Sequence, residues 1–195
     1  MAKSITLKRA LYTALFCFII TYGHSQRPKA KELGIEYLIP IHEDRQIKTV
    51  SSDLYYRWLE SKDSTLTLDI GLIGSYAWGE ITQLNDQFKD VIYKNKAAGL
   101  GVNFLIRYKI RLSEKLSLSP YFKGGLVLYS NRFPYGGDVY NFMRRHGGTV
   151  HYLLNRNYII NISYVRMHVS NGQGLKQRNP SYEGQGINIS IIKFQ

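Results

Sequence analysis

The feature that most constrains the fold is a two-residue period kept over stretches longer than an ordinary strand. In the segment 97–111 and the residue after it, Leu100, Val102, Phe104, Ile106, Tyr108, Ile110 and Leu112 share one parity. Gly101, Asn103, Leu105, Arg107, Lys109 and Arg111 share the other. Successive side chains of a strand point to opposite faces, so one face is apolar along its length while the other carries charge. The segment 115–130 repeats the pattern, with Leu116, Leu118, Phe122, Leu126 and Leu128 opposed to Ser117, Ser119, Tyr121, Lys123 and Tyr129. In 65–79, Leu66, Leu68, Ile70, Leu72, Tyr76 and Trp78 oppose Thr65, Thr67, Asp69, Gly71 and Ser75. Strands of a soluble sandwich usually run about 5 to 6 residues, whereas a tilted strand needs about 9 to 11 to cross a bilayer. Length separates the two folds, and it favours the membrane.

Eight such segments can be drawn: 33–40, 51–60, 65–79, 97–111, 115–130, 147–154, 158–170 and 183–195. Their connections alternate between long and short. Residues 42–50, 80–96, 131–146 and 171–182 form the long set; 61–64, 113–114 and 155–157 form the short one. An even strand number, short turns at one end, longer loops at the other and an apolar outside over a polar inside describe an outer-membrane barrel. The last segment ends Ile191-Ile192-Lys193-Phe194-Gln195, with an aromatic next to last, as many such barrels do. The expected fold is therefore all-β, an eight-stranded antiparallel transmembrane β-barrel. A lipocalin-like or sandwich fold is the alternative. At eight strands the lumen is filled by side chains, so no pore is expected.

The chain of 195 residues holds one domain of this kind. Lys3, Lys8 and Arg9 lead an apolar run from Ala10 to Ile20 that closes in small and polar residues, the pattern of a secretory signal peptide. We assign residues 1–25 to a cleaved leader and 26–195 to the barrel, exported to the outer membrane of a Gram-negative bacterium. The single cysteine, Cys17, lies in the leader, which leaves neither a disulfide nor a thiolate metal site in the mature chain. The net charge of +12 falls to about +9 without the three leader cations. Basic residues that fall in loops of an exported barrel argue against nucleic acid as a partner. Lys89, Lys94, Lys96, Arg132, Arg144, Arg145, Lys176 and Arg178 are placed on the outer side, either as a solvated charge set or as ligands for lipopolysaccharide phosphates. Tyr76, Trp78, Tyr129 and Tyr135 are read as an interfacial girdle, and His42, His146 and His151 as structural or interfacial residues.

One stretch asks for chemistry. In the segment 158–170, Ile160, Ile162, Tyr164, Arg166, His168 and Ser170 share a parity, and its apolar beginning marks that face as lipid-facing. In the last segment Glu183 shares its parity with Ile187, Ile189 and Ile191. Strands joined by the 171–182 loop bring Glu183 beside His168 and Ser170 on the outer wall. A serine hydroxyl becomes a useful nucleophile when a base takes its proton and an acid fixes that base's tautomer. Ser170, His168 and Glu183 fit those roles. The amide of Asn171 and the backbone N–H groups of Gly172 and Gly174 suit a developing oxyanion.

His168-x-Ser170-Asn171 followed by Glu183, with Lys176, Asn179 and Gly184 in the family's style, resembles the PagL family of lipid A deacylases. The specific match covers about the last 30 residues, and the Gly172-Gln173-Gly174 run departs from the family pattern. The resemblance implies an eight-stranded outer-membrane barrel that hydrolyses the ester-linked 3-position acyl chain of lipid A on its lipid-facing exterior. It further implies His168 as base, Ser170 as nucleophile, Glu183 as orienting acid and Asn171 in the oxyanion hole, with no metal and no cofactor. Lys176 and Arg178 are the expected substrate-binding residues, and lipopolysaccharide in the outer membrane is the expected partner. A homodimer is left open. The alternatives are a non-enzymatic small barrel with a structural or binding role, and a phospholipase using the same triad.

Overall fold

The computed structural model describes residues 30–84, 87–172 and 180–194. The assigned leader 1–25, with Cys17, lies outside the described residues, as do Gly174, Lys176, Arg178 and Asn179. The strands are β1 (Ala30–Pro40), β2 (Arg45–Glu60), β3 (Leu66–Leu84), β4 (Asp90–Tyr108), β5 (Ile110–Arg111), β6 (Leu116–Phe133), β7 (Asp138–Asn155), β8 (Tyr158–Ser170) and β9 (Ser181–Phe194). The two-residue β5 continues the line of β4 past Lys109, and both pair with β6. Nine segments therefore make eight staves. Every neighbouring pair is antiparallel, and β1 pairs with β9, which closes the sheet into an eight-strand barrel.

Closure carries a stagger. Following paired residues around the wall from Lys31 leads through Tyr56, Ile70, Phe104, Gly124, Arg144 and His168 to Glu183. The backbone N–H of Ile41 donates to the Glu183 carbonyl, so one circuit advances along β1 from Lys31 to Ile41. A barrel needs such a shear, because it sets the tilt of its strands. Here it lifts each row of residues from the short-turn end at β1 to the opposite rim at β8 and β9.

The alternation read from the sequence is obeyed on both faces. Outward positions such as Ile35 (64 % exposed), Leu100 (75 %) and Ile189 (58 %) form an apolar belt, as hydrocarbon requires. Inward positions carry charge, and the charges are paired. Arg107 reaches Glu32 at 2.7 Å and Asp69 at 3.2 Å, and Arg57 bonds Asp69 and Glu60. Higher in the lumen, Lys123 holds Asp53 at 2.9 Å, and Arg145 holds Glu36 at 3.0 Å and Asp53 at 3.5 Å. Aromatic rings cap this network, with Phe133 edge-on to Tyr182 and the Tyr129 and Tyr182 hydroxyls 3.4 Å apart. His151 is a structural lumen residue, bonded to Asn161 and Ser119. At Gly147 a Cβ would collide with the Tyr164 carbonyl oxygen, to which the Tyr121 hydroxyl donates from inside. Glycine there lets the tyrosine lie across β7 and reach β8.

Three expectations are corrected. Arg145 is not an outer cation: it sits in the lumen at 2 % exposure, since its parity on β7 points inward. Tyr129 is likewise internal rather than part of a girdle. The long connections are shorter than expected, because β3 and β4 stay paired out to Leu84 opposite Asp90, and β6 and β7 out to Phe133 opposite Asp138. Above the apolar belt both faces of a strand meet polar surroundings, so pairing continues where alternation fades. The short turns hold as expected. In the turn after β2 the Asp63 carboxylate accepts from the Ser61 hydroxyl at 2.6 Å and from the Thr65 hydroxyl and N–H, which pulls its pKa down to about 2.

Removing one member of a buried charge network strands its partners, a loss of about 3 to 5 kcal/mol. Arg145→Met is expected to lower the unfolding free energy of the barrel by that amount, seen as a lower urea midpoint at unchanged slope. Adding Glu36→Gln to the same chain should return part of it, as the freed carboxylate is then neutral. Denaturant titration of folded protein in detergent, read by gel mobility, measures both.

Candidate active site on the outer wall

The site is built where β8 ends and β9 begins. His168 and Glu183 are register partners on these two strands, and both side chains point outward. Directly paired side chains on one face of a sheet stand about 4.5 to 5.5 Å apart at Cβ, within reach of a hydrogen bond. The bond is made: His168 Nδ1 lies 3.2 Å from Glu183 Oε1. The second carboxylate oxygen is also held. Arg166 Nη2 donates to Oε2 at 3.2 Å, and His42 Nε2 lies 3.6 Å from the same atom. One carboxylate thus gathers two side chains from β8 and one from the β1–β2 loop.

The pair is neither buried in the wall nor free in solvent. The side chains of His168 and Glu183 are 28 % and 25 % exposed. Below them on the same faces come Tyr164, Ile162 and Ile187, each more than half exposed to the surroundings of the barrel. The Tyr164 hydroxyl donates to Gln185 Oε1 at 2.9 Å and marks the upper edge of the apolar belt. The ion-paired site therefore stands one step above hydrocarbon.

Ser170 is the last residue of β8 and shares the outward parity of His168. Its register partners are Phe142 on β7 and Ser181 on β9. Two positions along a strand are about 6.5 to 7 Å apart along the backbone. The hydrogen bonds among the described residues join His168 to Glu183 but not to Ser170. With Nδ1 engaged by Glu183, Nε2 is the ring nitrogen left to face a nucleophile. Catalytic contacts often tighten only when substrate binds.

Asn171 takes the opposite parity and points inward at 1 % exposure. Its amide nitrogen donates to the Tyr140 carbonyl and, at 3.3 Å, to Asn141 Oδ1. The side-chain amide expected at an oxyanion is thus committed to the loop end of β7. Gly172 follows with φ 85°, a left-handed conformation open to glycine, and it turns the chain off β8. Arg45 braces the other side of the gap, its Nη1 2.9 Å from Ser181 Oγ.

Two neighbours were not anticipated. Arg166 shares the parity of His168, so its place beside Glu183 follows from the same alternation that located the histidine. His42 does not follow from any local pattern. It reaches Glu183 because the barrel closes β1 onto β9.

No protein-family model matches the chain, and no curated protein matches it. Among solved structures, the crystal structure of the outer membrane enzyme PagL matches with a TM-score of 0.58 at 16 % identity, over 82 % of this chain and 97 % of that one. A de novo designed transmembrane β-barrel gives 0.41 at 17 % identity, over 87 % and 98 %. Outer membrane protein W of E. coli gives 0.41 at 12 % identity, over 86 % and 98 %. At such identities the likeness is one of fold. The chain has the architecture of an outer-membrane eight-strand barrel.

The His168–Glu183 bond fixes a tautomer. Neutral His168 should carry its proton on Nδ1 and leave Nε2 bare. Nitrogen chemical shifts of His168 in micelles are expected to report that form, and Glu183→Gln should shift the population toward the Nε2–H tautomer. Unchanged shifts in the variant would show that the carboxylate does not orient the ring.

Proposed function

We propose that this protein is an outer-membrane serine esterase that removes the ester-linked acyl chain at the 3-position of lipid A. The observation that carries the reading is the His168–Glu183 hydrogen bond on the outer face of the barrel, with Ser170 on the same face of the same strand. The resemblance of His168-x-Ser170-Asn171 to the lipid A deacylases supports it, as does a fold shared with an outer membrane enzyme. A hydrolase of soluble esters has no use for a triad on the lipid-facing side of a wall. For a lipid whose acyl chains already lie in the hydrocarbon, that is where the ester sits.

In this reading Ser170 Oγ attacks the ester carbonyl carbon, and His168 Nε2 takes the hydroxyl proton. Glu183 holds Nδ1–H and stabilises the imidazolium without accepting its proton. The tetrahedral intermediate collapses as the sugar oxygen leaves with the proton from His168. An acyl-serine remains. Water then attacks the acyl carbon while His168 takes its proton, and the serine is released with a free fatty acid. The oxyanion of both steps is assigned to backbone N–H groups at the Asn171–Gly172 turn, since the Asn171 side chain faces inward. Glycine at 172 and 174 leaves such groups unscreened. Neither a metal nor a cofactor enters these steps.

Ser170→Ala is expected to lower deacylation on the order of 10^4-fold or more, the scale of losing a triad nucleophile. Mass spectrometry of lipid A from cells making each form, with the susceptible ester shown in the host's lipid A, measures this. Equal acylation with both forms would rule the esterase out and leave a structural or binding barrel. Fatty acid released from purified phosphatidylethanolamine but not from lipid A would make the protein a phospholipase.

A further inference from the structure

The outer wall beside the triad carries a cluster of basic side chains, only one of which has a carboxylate partner among the described residues. Arg144 on β7 is the register partner of His168, and His146, two residues further along β7, is the partner of Arg166 on β8. All three of Arg144, His146 and Arg166 are exposed and outward. Arg166 spends one guanidinium nitrogen on Glu183. Among the described residues, Arg144 and His146 have no carboxylate within ion-pair distance. Inside the lumen Arg57, Arg107 and Arg145 are each locked to carboxylates. The exposed Arg111, Arg132 and Arg156, like Arg144, have no carboxylate within ion-pair distance among the described residues. What sets Arg144 apart is its place beside Arg166 and His168. Arg145 and Arg144 are adjacent in sequence, yet one is neutralised inside and the other is left bare outside.

The height of these residues matters. His146 pairs across β6 with the exposed Phe122, and below Arg166 the β8 face becomes Tyr164 and Ile162. These basic residues therefore line the top of the apolar belt, level with the triad. Arg144 and Arg166 are diagonal neighbours on adjacent strands, which separates their Cβ atoms by about 7 to 8 Å. Two guanidinium forks at that spacing can close on one phosphate from both sides, and a fork matches phosphate oxygens in pairs where an ammonium offers a point charge.

We propose that Arg144, His146 and Arg166 form a binding site for a phosphate monoester on the sugar head group of a membrane lipid, set beside the catalytic row. The proposal rests on reading the site as a hydrolase of membrane lipids and names what selects the substrate. A monoester carries more charge than the diester of a glycerophospholipid, so two arginines favour the phosphorylated saccharolipid. Arg144 and His146 anchor the head group, and Arg166 links the anchor to the triad through Glu183. The bound lipid then presents an ester to Ser170 from a fixed side.

Binding, measured apart from turnover, tests this. Full-length Ser170→Ala protein in nanodiscs would be titrated with bis-phosphorylated lipid A, with the same lipid A after phosphatase treatment, and with phosphatidylglycerol. We expect the bis-phosphorylated lipid to bind at least tenfold more tightly than either of the others. Arg144→Gln combined with His146→Gln should abolish most of that preference, and Arg144→Lys should keep part of it. Both positions face outward, and heat-dependent gel mobility checks that each variant is folded. A preference that survives the double substitution, or equal binding of phosphatidylglycerol, overturns the site. Lipid A mass analysis separates the two readings: an intact phosphate preference without deacylation by the wild type defeats the esterase alone, and deacylation without the preference defeats this site alone.

Discussion

The structure depends on the closure of β1 onto β9 with a stagger that carries Lys31 round to Ile41. Backbone groups in hydrocarbon have no water to bond, so an open edge is excluded and the ladder must find its own end. Closure satisfies that demand and also decides where side chains meet. It brings His42 and Arg45, early in the chain, against Glu183 and Ser181 near its end. A sheet with the same strands and a different shear would carry the same residues and separate them.

Closure also makes an interior, and this interior is ionic. Five carboxylates, Glu32, Glu36, Asp53, Glu60 and Asp69, meet four cations, Arg57, Arg107, Lys123 and Arg145. A narrow lumen with polar walls can be filled by water or by complementary charge, and here charge takes that role. The balance inside has a consequence outside. Since the lumen uses no surplus of cations, the net positive charge of the described residues falls on the exterior and rims. The bare Arg144 and the singly engaged Arg166 belong to that excess.

Much of this was legible in the sequence, for one reason. A barrel wall in a membrane separates apolar from polar at every second residue, so parity alone fixes which way a side chain points. Leu100 to Leu112, Ile160 to Ser170 and Glu183 to Ile191 could be assigned to the outer face that way, and the His168–Glu183 pairing followed from the hairpin that joins β8 to β9. Parity fails where the environment is the same on both faces. The extensions of β3, β4, β6 and β7 beyond the belt lost their alternation and read as loops. Arg145 and Tyr129 were misplaced because position along the chain was weighed above parity, although parity pointed both inward. His42 lay beyond local reasoning, since the contact that places it is made by chain closure.

In the proposed reading, the exposure of Glu183 as the orienting acid sets the demand on the site. A buried carboxylate is oriented by its surroundings, whereas Glu183 stands on a wall with open space on one side. Solvent and salt weaken a pair in that position, and a swinging carboxylate would not hold an imidazole in one tautomer. Arg166 and His42 answer this by taking Oε2 while Oε1 faces His168. The clamp draws on β8 and on the β1–β2 loop to hold one carboxylate of β9. A head group seated over Arg144 and His146 would cover the same face and exclude water from it. Charge–charge contacts strengthen as water leaves, so the substrate itself would complete the environment that the wall leaves open. In the proposed reading, the lipid is the fourth wall of the exposed His168–Glu183 pair.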